Sequence, residues 1–272
     1  MSSLDYAQRW AEQESRWVSH RQLCDTRVIE AAPLPEEDAK AFIMTHHYSG
    51  SYPAARCRVG IYERGKLVGV CVFGIPAGPT VLETWTGFGQ DEAVELSRFV
   101  LLDSVGYNAE SHALKLARRV LLEHLPELRA LVSFSDPVPR YTLTGACVLP
   151  GHQGTIYQAT NGAYLGRTTP RTLYLDAEGR VISARAMQKV AQQQRGHEYA
   201  ERLIVEAGAP PRRAGECPKA WLARAKRCLR KIRHTGNHGY VWGLKRGVSF
   251  ASKAAYPKQV DPVQLGLVGV SR

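Results

Sequence analysis

The segment from residue 95 to residue 135 most constrains the fold. An apolar run over about Glu95–Leu102 leads through a polar loop, Asp103–Glu110, into a helix-period stripe. Leu114, Leu116, Ala117, Val120 and Leu121 form that stripe within Ser111–His124, and a second apolar run, Ala130–Ser135, follows. Two strands joined through a helix pair in parallel, because the crossover returns the chain to the end where it started. Hairpin patterns lie on either side. Arg58–Glu63 and Leu67–Gly74 flank the turn Glu63-Arg64-Gly65-Lys66, while Leu173–Asp176 and Val181–Ser183 flank Ala177-Glu178-Gly179. A parallel unit inside antiparallel neighbours predicts a mixed α/β, mainly antiparallel sheet flanked by helices.

Other elements read less sharply. Residues 4–23 suggest a polar helix, Arg27–Glu30 a short strand, and Pro33–Thr45 a helix whose opening acids suit its N-terminus. From about residue 184 the strand patterns stop. Ala184–Gln194 and Glu198–Glu206 read as helices, Gly208–Arg213 as a linker, and Pro218–Arg233 as an amphipathic helix. Its apolar side carries Leu222, Ala225, Leu229 and Ile232, with Lys226, Arg227, Arg230 and Arg233 on or near the other side. The tail Val260–Arg272 reads as loosely ordered. The expected division is a catalytic domain over 1–183 and a basic, mainly helical extension over 184–272.

Charge separates the same two parts. The net charge is +11, with a balance of −3 over residues 1–179 and +14 over residues 180–272. Such asymmetry points to a polyanion, chiefly nucleic acid; a generic basic surface gives the same count. No apolar run approaches a membrane span, and the polar N-terminus does not read as a signal peptide, so the expected location is the cytoplasm. Six scattered cysteines include no Cys-x-x-Cys pair, which argues against a structural zinc site.

The chemically capable residues cluster after the strand 130–135. Asp136-Pro137 ends it, and Gly151-His152-Gln153-Gly154-Thr155-Ile156-Tyr157-Gln158 follows. An α/β protein builds sites at such carboxyl edges, although an Asp-Pro turn and a loop entering a helix produce the same pattern. His46-His47-Tyr48-Ser49, in the loop after a helix, adds a second polar group.

These motifs resemble the bacteriophage Mom family of DNA adenine-modifying proteins. The resemblance rests on His46–Ser49, Glu95-Leu96-Ser97-Arg98-Phe99, Ser135-Asp136, Gly151–Asn161 with Tyr164-Leu165-Gly166, and Gly236–Val241. The Gly-His-Gln-Gly-Thr-Ile-Tyr-Gln run is its specific part. The resemblance implies a fold like that of Gcn5-related N-acetyltransferases (GNAT), whose element order the chain shares. It also implies carbamoylmethylation of adenine N6 in duplex phage DNA, which blocks host restriction. Two departures stand out: Pro139–Pro150 lengthens the loop between Asp136 and His152, and Gly162 rather than an aromatic residue follows Asn161.

On this reading Asp136 accepts a hydrogen bond or proton from N6 and Tyr157 donates to the oxyanion or leaving group. Tyr48 stacks on a flipped base and His47 relays a proton. Packing roles suit Asp136 and Tyr157 as well, and His152 between glycines reads as structural. Arg98, Asn108 and Ser111 would bound the donor site. The turn Val105–Ser111 has one glycine and the acid Glu110 where a GNAT cradle for coenzyme A usually has two glycines, which weakens acetyl-CoA as donor. A glycyl donor, glycyl-tRNA, is the other candidate. The family leaves an iron requirement open, and His46, His47 and Asp136 would be a conceivable set. Lys226, Arg227, Arg230 and Arg233 would face DNA or tRNA. Two other readings are an ordinary acetyltransferase and a non-catalytic DNA-binding phage protein.

Overall fold

A computed structural model describes residues 6–11, 14–19 and 23–258. In chain order the strands and helices are β1 (Tyr6–Ala11), β2 (Glu14–Ser19), β3 (Ile29–Pro33), α1 (Glu36–His46), β4 (Ala55–Glu63) and β5 (Lys66–Gly74). Then come α2 (Val81–Thr86), β6 (Ala93–Leu101), α3 (Ala109–His124), β7 (Ala130–Ser135), β8 (Arg140–Tyr141), β9 (Cys147–Leu149) and α4 (Thr155–Ala159). The last are β10 (Ala163–Arg167), β11 (Arg171–Leu175), α5 (Ala184–Ala191), α6 (His197–Glu206), α7 (Pro218–Cys228), β12 (Arg230–His234) and β13 (His238–Gly243).

The chain forms two compact units. The first holds residues 1–137, 151–168 and 237–272, and the second holds 138–150 and 169–236. The expected boundary between 183 and 184 falls inside the second unit. By sequence that unit has a balance of +10, which leaves +1 for the first.

The first unit is a seven-stranded sheet in the order β10-β13-β7-β6-β5-β4-β3. Only β6 and β7 pair in parallel, and every other neighbour is antiparallel. This is the mixed, mainly antiparallel sheet that the sequence predicts. Arg64 and Gly65 both have positive φ (51° and 78°), the geometry of a two-residue turn that matches strand twist and fixes the β4–β5 register. The α3 stripe buries Ala109, Ala113, Leu114, Ala117, Val120 and Leu121 against one cluster with Val59, Ile61, Phe73, Leu131 and Tyr240. Ala39 and Ile43 of α1 pack with Val70, Val72 and Val100 in a separate cluster. These are the alternate residues of β5 and β6, as the pleat requires.

The parallel pair is short. β6 and β7 pair only over Ala93–Glu95 and Ala130–Val132. Beyond that point the Ser133 hydroxyl, not a backbone group, bridges to the Leu96 carbonyl at 2.9 Å. The two strands therefore stop pairing just before Arg98 and Asp136.

The second unit packs α5, α6 and α7 around Met187, Val190, Ile204, Trp221, Leu222 and Ala225. Beside them are the two-stranded sheets β8–β9 and β11–β12. Pro218 at the first turn of α7 suits its N-terminus.

Three expectations need correction. Residues 6–11 and 14–19 form the antiparallel pair β1–β2, not a helix. Their Ala, Gln, Glu and Arg favour a helix weakly, and strand pairing overrides such preference. The helix expected over 218–233 ends at Cys228, where Leu229 turns to extended geometry (ψ 148°) and β12 begins. Arg230 and Arg233 are thus strand residues. The hairpin expected between 173–176 and 181–183 reduces to one bridge, Leu175 to Val181, because β11 pairs instead with the distant β12. The tail Val260–Arg272 lies outside the described residues. Among the described residues no helix is long and apolar enough to cross a membrane.

Candidate active site

The long loop after Asp136 returns to where it left. Residues 138–150 belong to the second unit, yet the His152 N–H donates to the Asp136 carbonyl at 2.8 Å. Two glycines with positive φ, Gly151 (77°) and Gly154 (76°), frame His152 and turn the chain into α4. Gly154 has a steric reason as well. A Cβ there would lie 2.7 Å from the Tyr240 ring, 2.9 Å from the Tyr157 ring and 3.0 Å from Ser135 Oγ. Glycine thus lets α4 press Tyr157 onto the sheet, where its ring meets Trp242 edge-on at 5.6 Å and Tyr240 at 5.4 Å.

Tyr157 and Asp136 are both buried, at 7% and 8% exposure. Burial pushes the Tyr157 phenol above its ordinary value, with a side-chain hydrogen bond between Tyr157 and Ser133 working the other way. The hydroxyl therefore keeps its proton at neutral pH and remains a donor.

The loop after α1 supplies the opposite side of the group. The adjacent histidines diverge: the His46 ring packs on Phe42, while His47 stacks on Tyr48 with ring centroids 4.3 Å apart. Ser49 donates its backbone N–H to His47 Nδ1 at 3.1 Å, and its hydroxyl lies 2.8 Å from the same atom. A backbone N–H can only donate, so Nδ1 accepts and the neutral ring carries its proton on Nε2. Burial, with Arg98 and His152 nearby, holds the His47 imidazole well below its ordinary value.

Arg98 anchors this loop. Its Nε donates to the Ser51 carbonyl at 3.1 Å and its Nη2 approaches Ser51 Oγ at 2.9 Å. Arg98 also feels Tyr48, Glu95 and Tyr157. Arg98 thus lies within electrostatic reach of His47, Tyr48 and Tyr157. Asn108 and Ser111, expected beside it at a donor site, instead meet each other at the start of α3, with Ser111 Oγ 3.4 Å from the Asn108 carbonyl and from its side-chain oxygen. No side chain caps α3 there, and Glu110 lies in the first turn, where it opposes an anion.

Two members were missed by sequence reasoning. Burial holds His152 at about 4, with the Asp136 carboxylate working the other way, and His152 in turn lowers His47 and His238. Its place between glycines looked structural, and only the fold reveals its neighbours. Glu95 is an acid inside an apolar strand, which was a visible signal. Burial raises its carboxyl, while Ser97 Oγ at 3.3 Å and Arg98 favour the charged form. The set His46, His47 and Asp136 does not fit iron, because the His46 ring packs on Phe42 while His47 stacks on Tyr48; among the described residues no group of three His, Cys, Asp or Glu side chains is placed to hold a metal ion.

The four expected nucleic-acid residues divide. Lys226 places its ammonium 5.5 Å from the Tyr174 ring centroid, and Arg230 donates to the Tyr141 carbonyl. Arg227 and Arg233 are exposed.

Comparison with known proteins adds the following. A model of the Mom protein family matches residues 28–215. Methylcarbamoylase mom of Escherichia phage Mu is 30% identical over 146 residues, covering 52% of this chain and 54% of that protein. The match thus spans about half the length of that curated relative. Among solved structures, a tandem GNAT protein from the clavulanic acid pathway aligns with TM-score 0.40 at 10% identity, over 80% of this chain and 99% of its own. A GNAT family acetyltransferase from Elizabethkingia anophelis, with acetyl-CoA bound, aligns at 0.32 and 9% identity, over 79% and 98%.

Proposed function

Because the chain belongs to the Mom protein family, we propose that it is a transferase that converts adenine N6 in phage or prophage DNA to its carbamoylmethyl derivative and so shields that DNA from restriction. The observation that carries this reading is that, beyond the point where β6 and β7 stop pairing, Asp136 is tied to His152, the His152 ring lies 6.5 Å from that of Tyr157, and Arg98 holds the loop in which His47 stacks on Tyr48. The strong positive balance of the second unit supports a nucleic-acid substrate.

Acyl transfer to adenine faces a weakly nucleophilic amine, a developing oxyanion and a stacked base. Tyr48, partly exposed beside His47, is suited to stack on a base drawn out of the duplex. Asp136 takes the N6 proton as the amine attacks. Tyr157, held protonated, donates to the oxyanion, and the Arg98 guanidinium adds positive charge beside it. His47, neutral with its proton on Nε2, supplies a further donor.

We take the donor to be a glycyl ester, glycyl-tRNA. N6 attacks the ester carbonyl, the ester C–O bond breaks, and the tRNA hydroxyl leaves with a proton, giving N6-glycyladenine. Its free amine then attacks C6 through a five-membered ring. The original C6–N6 bond breaks, and the departing nitrogen remains as the carboxamide. The product, C6–NH–CH2–CO–NH2, is an isomer of the glycyl adduct, so no oxidant is required. An acetyl group would need both a new nitrogen and an oxidation at carbon. The lone glycine and the acid at the start of α3 also suit coenzyme A poorly.

The test supplies purified protein with adenine-containing duplex and either labelled glycyl-tRNA or labelled acetyl-CoA, followed by nucleoside mass spectrometry. Label entering DNA from glycyl-tRNA alone is expected. Entry from acetyl-CoA alone rejects the glycyl donor, and a duplex unaltered when the protein is expressed in cells rejects the whole reading.

A further inference from the structure

The β11–β12 ribbon carries cations that its own unit leaves uncompensated. By sequence the second unit has 16 Lys and Arg against six Asp and Glu. Five of those acids are engaged elsewhere. Arg180 binds Asp176 at 2.8 Å and Glu178 at 3.3 Å, Arg212 binds Glu201 at 3.1 Å, Arg224 binds Glu216 at 2.7 Å, and His197 lies 3.2 Å from Glu198. Among the described residues Arg227, Lys231 and Arg233 form no ion pair, and all three are exposed.

The register puts two of them on one face. Lys231 lies opposite Tyr174 and Arg233 opposite Thr172. Paired residues share a face, and residues two apart on a strand are about 6.6 Å from each other. Thr172 is exposed too, while Tyr174 is half-buried against the helical core. Lys226 reaches in from α7 over the Tyr174 ring, and Lys231 is the cross-strand partner of the same tyrosine. Like charges on one ribbon face repel, and none of those five engaged acids offsets them. A row of phosphates does.

We propose that this ribbon face, Lys231 and Arg233 with Thr172 opposite Arg233 and Arg227 at the end of α7, grips the phosphate backbone of duplex DNA, and that Tyr174 seats Lys226 beside it. The proposal deepens the DNA-modifying reading and rests on it for the choice of a duplex. It also reassigns the expected set. Arg230 is held by the Tyr141 carbonyl and Lys226 by Tyr174, so Lys231 takes the place of Arg230 as a phosphate contact.

The test is the salt dependence of binding to a fluorescent duplex of about 30 base pairs by the full chain. Each phosphate contact removed lowers the slope of log K against log salt by about one. Lys231→Ala and Arg233→Ala should each do so, and the double variant should lower it by about two. Arg233→Lys should keep the slope, and Arg185→Gln on α5 should change nothing. Thermal unfolding of each variant checks that the unit stays folded. A double variant that is folded and keeps the wild-type slope overturns the ribbon. So does one that keeps duplex binding but loses binding to deacylated tRNA, which would make the face an RNA surface. A wild-type chain that leaves adenine unmodified while the double variant loses duplex affinity overturns the proposed reaction and leaves the ribbon standing.

Discussion

His152 and Asp136 are joined through the backbone, with the His152 N–H 2.8 Å from the Asp136 carbonyl oxygen. That bond closes the base of a detour through another unit. It keeps the strand-end acid and the Gly-framed histidine together whatever the length of the excursion. The extra residues Pro139–Pro150 therefore do not separate Asp136 from His152, whose ring lies 6.5 Å from that of Tyr157. Closure of so long a loop costs only slowly rising entropy, which one well-packed turn can offset.

Asp136→Asn and Tyr157→Phe test the chemistry directly. Both changes keep shape while removing a proton acceptor and a donor. Each should reduce the modified fraction of adenine by about 100-fold or more, within the range for general base and oxyanion-hole residues. Duplex affinity should stay within about twofold. Nucleoside mass spectrometry alongside a binding titration separates the two effects. Undiminished modification in either variant would remove that residue from the site.

Gly154→Ala should damage stability and activity together. The position has φ +76°, and an added methyl would meet Tyr240, Tyr157 and Ser135 at 2.7, 2.9 and 3.0 Å. The left-handed conformation alone costs about 1–2 kcal/mol for a residue with a Cβ. Denaturant unfolding should show at least that loss, and the modified fraction should fall because Tyr157 moves. Gly65→Ala also sits at positive φ (+78°), but with nothing within 4 Å of its Cβ. It should lose stability and keep activity.

Stability should fall as pH drops from 6.5 towards 5. Burial lowers His47, His152 and His238, so these rings are neutral when folded, while their unfolded counterparts protonate near the ordinary value of 6.5. The unfolded state then binds more protons, and the free energy of unfolding decreases as acid is added. The contribution of His47 and His152 is at most about 1.4 kcal/mol per pH unit each. Glu95 acts in the opposite sense through its raised carboxyl. Asp25 and Glu216, held low by hydrogen bonds from Arg27 and Arg224, add their loss only at lower pH. A melting temperature that stays level between pH 7 and pH 5 would contradict neutral, buried histidines.

The elements legible in the sequence are those whose pattern is local. The α3 stripe, the β4–β5 turn and the β7 run each contain their own signal within a dozen or so residues. β12 and β13 do not. Arg230–His234 continues a helical stripe by composition, and only pairing with β11, more than fifty residues earlier, makes it a strand. The site divides in the same way. Asp136, Tyr157, His47 and Tyr48 stand in conspicuous runs, whereas the importance of His152 and Glu95 comes from neighbours contributed by other elements. The positive charge was visible as a count, but its placement on a ribbon was not, because that depends on which acids the other cations have taken.

Arg98→Lys tests whether the loop carrying His47 and Tyr48 must be held. Arg98 meets Ser51 twice, through Nε to the carbonyl at 3.1 Å and through Nη2 to the hydroxyl at 2.9 Å, and its Nη1 donates to the Ser97 carbonyl at 2.6 Å. A lysine keeps the charge but cannot span these acceptors in a fixed plane. The loop should shift by about an ångström, enough to cost on the order of 10–100-fold in a positioned reaction. Stability should change by only about 1 kcal/mol, since hydrogen bonds at this partly exposed site exchange with water. Ser51→Ala removes one of the two contacts and should give a smaller loss in the same direction. The modified fraction of adenine, read with the melting temperature, decides the matter. Full activity in Arg98→Lys would show that charge alone suffices there, and equal losses of activity and stability would reduce Arg98 to a packing residue.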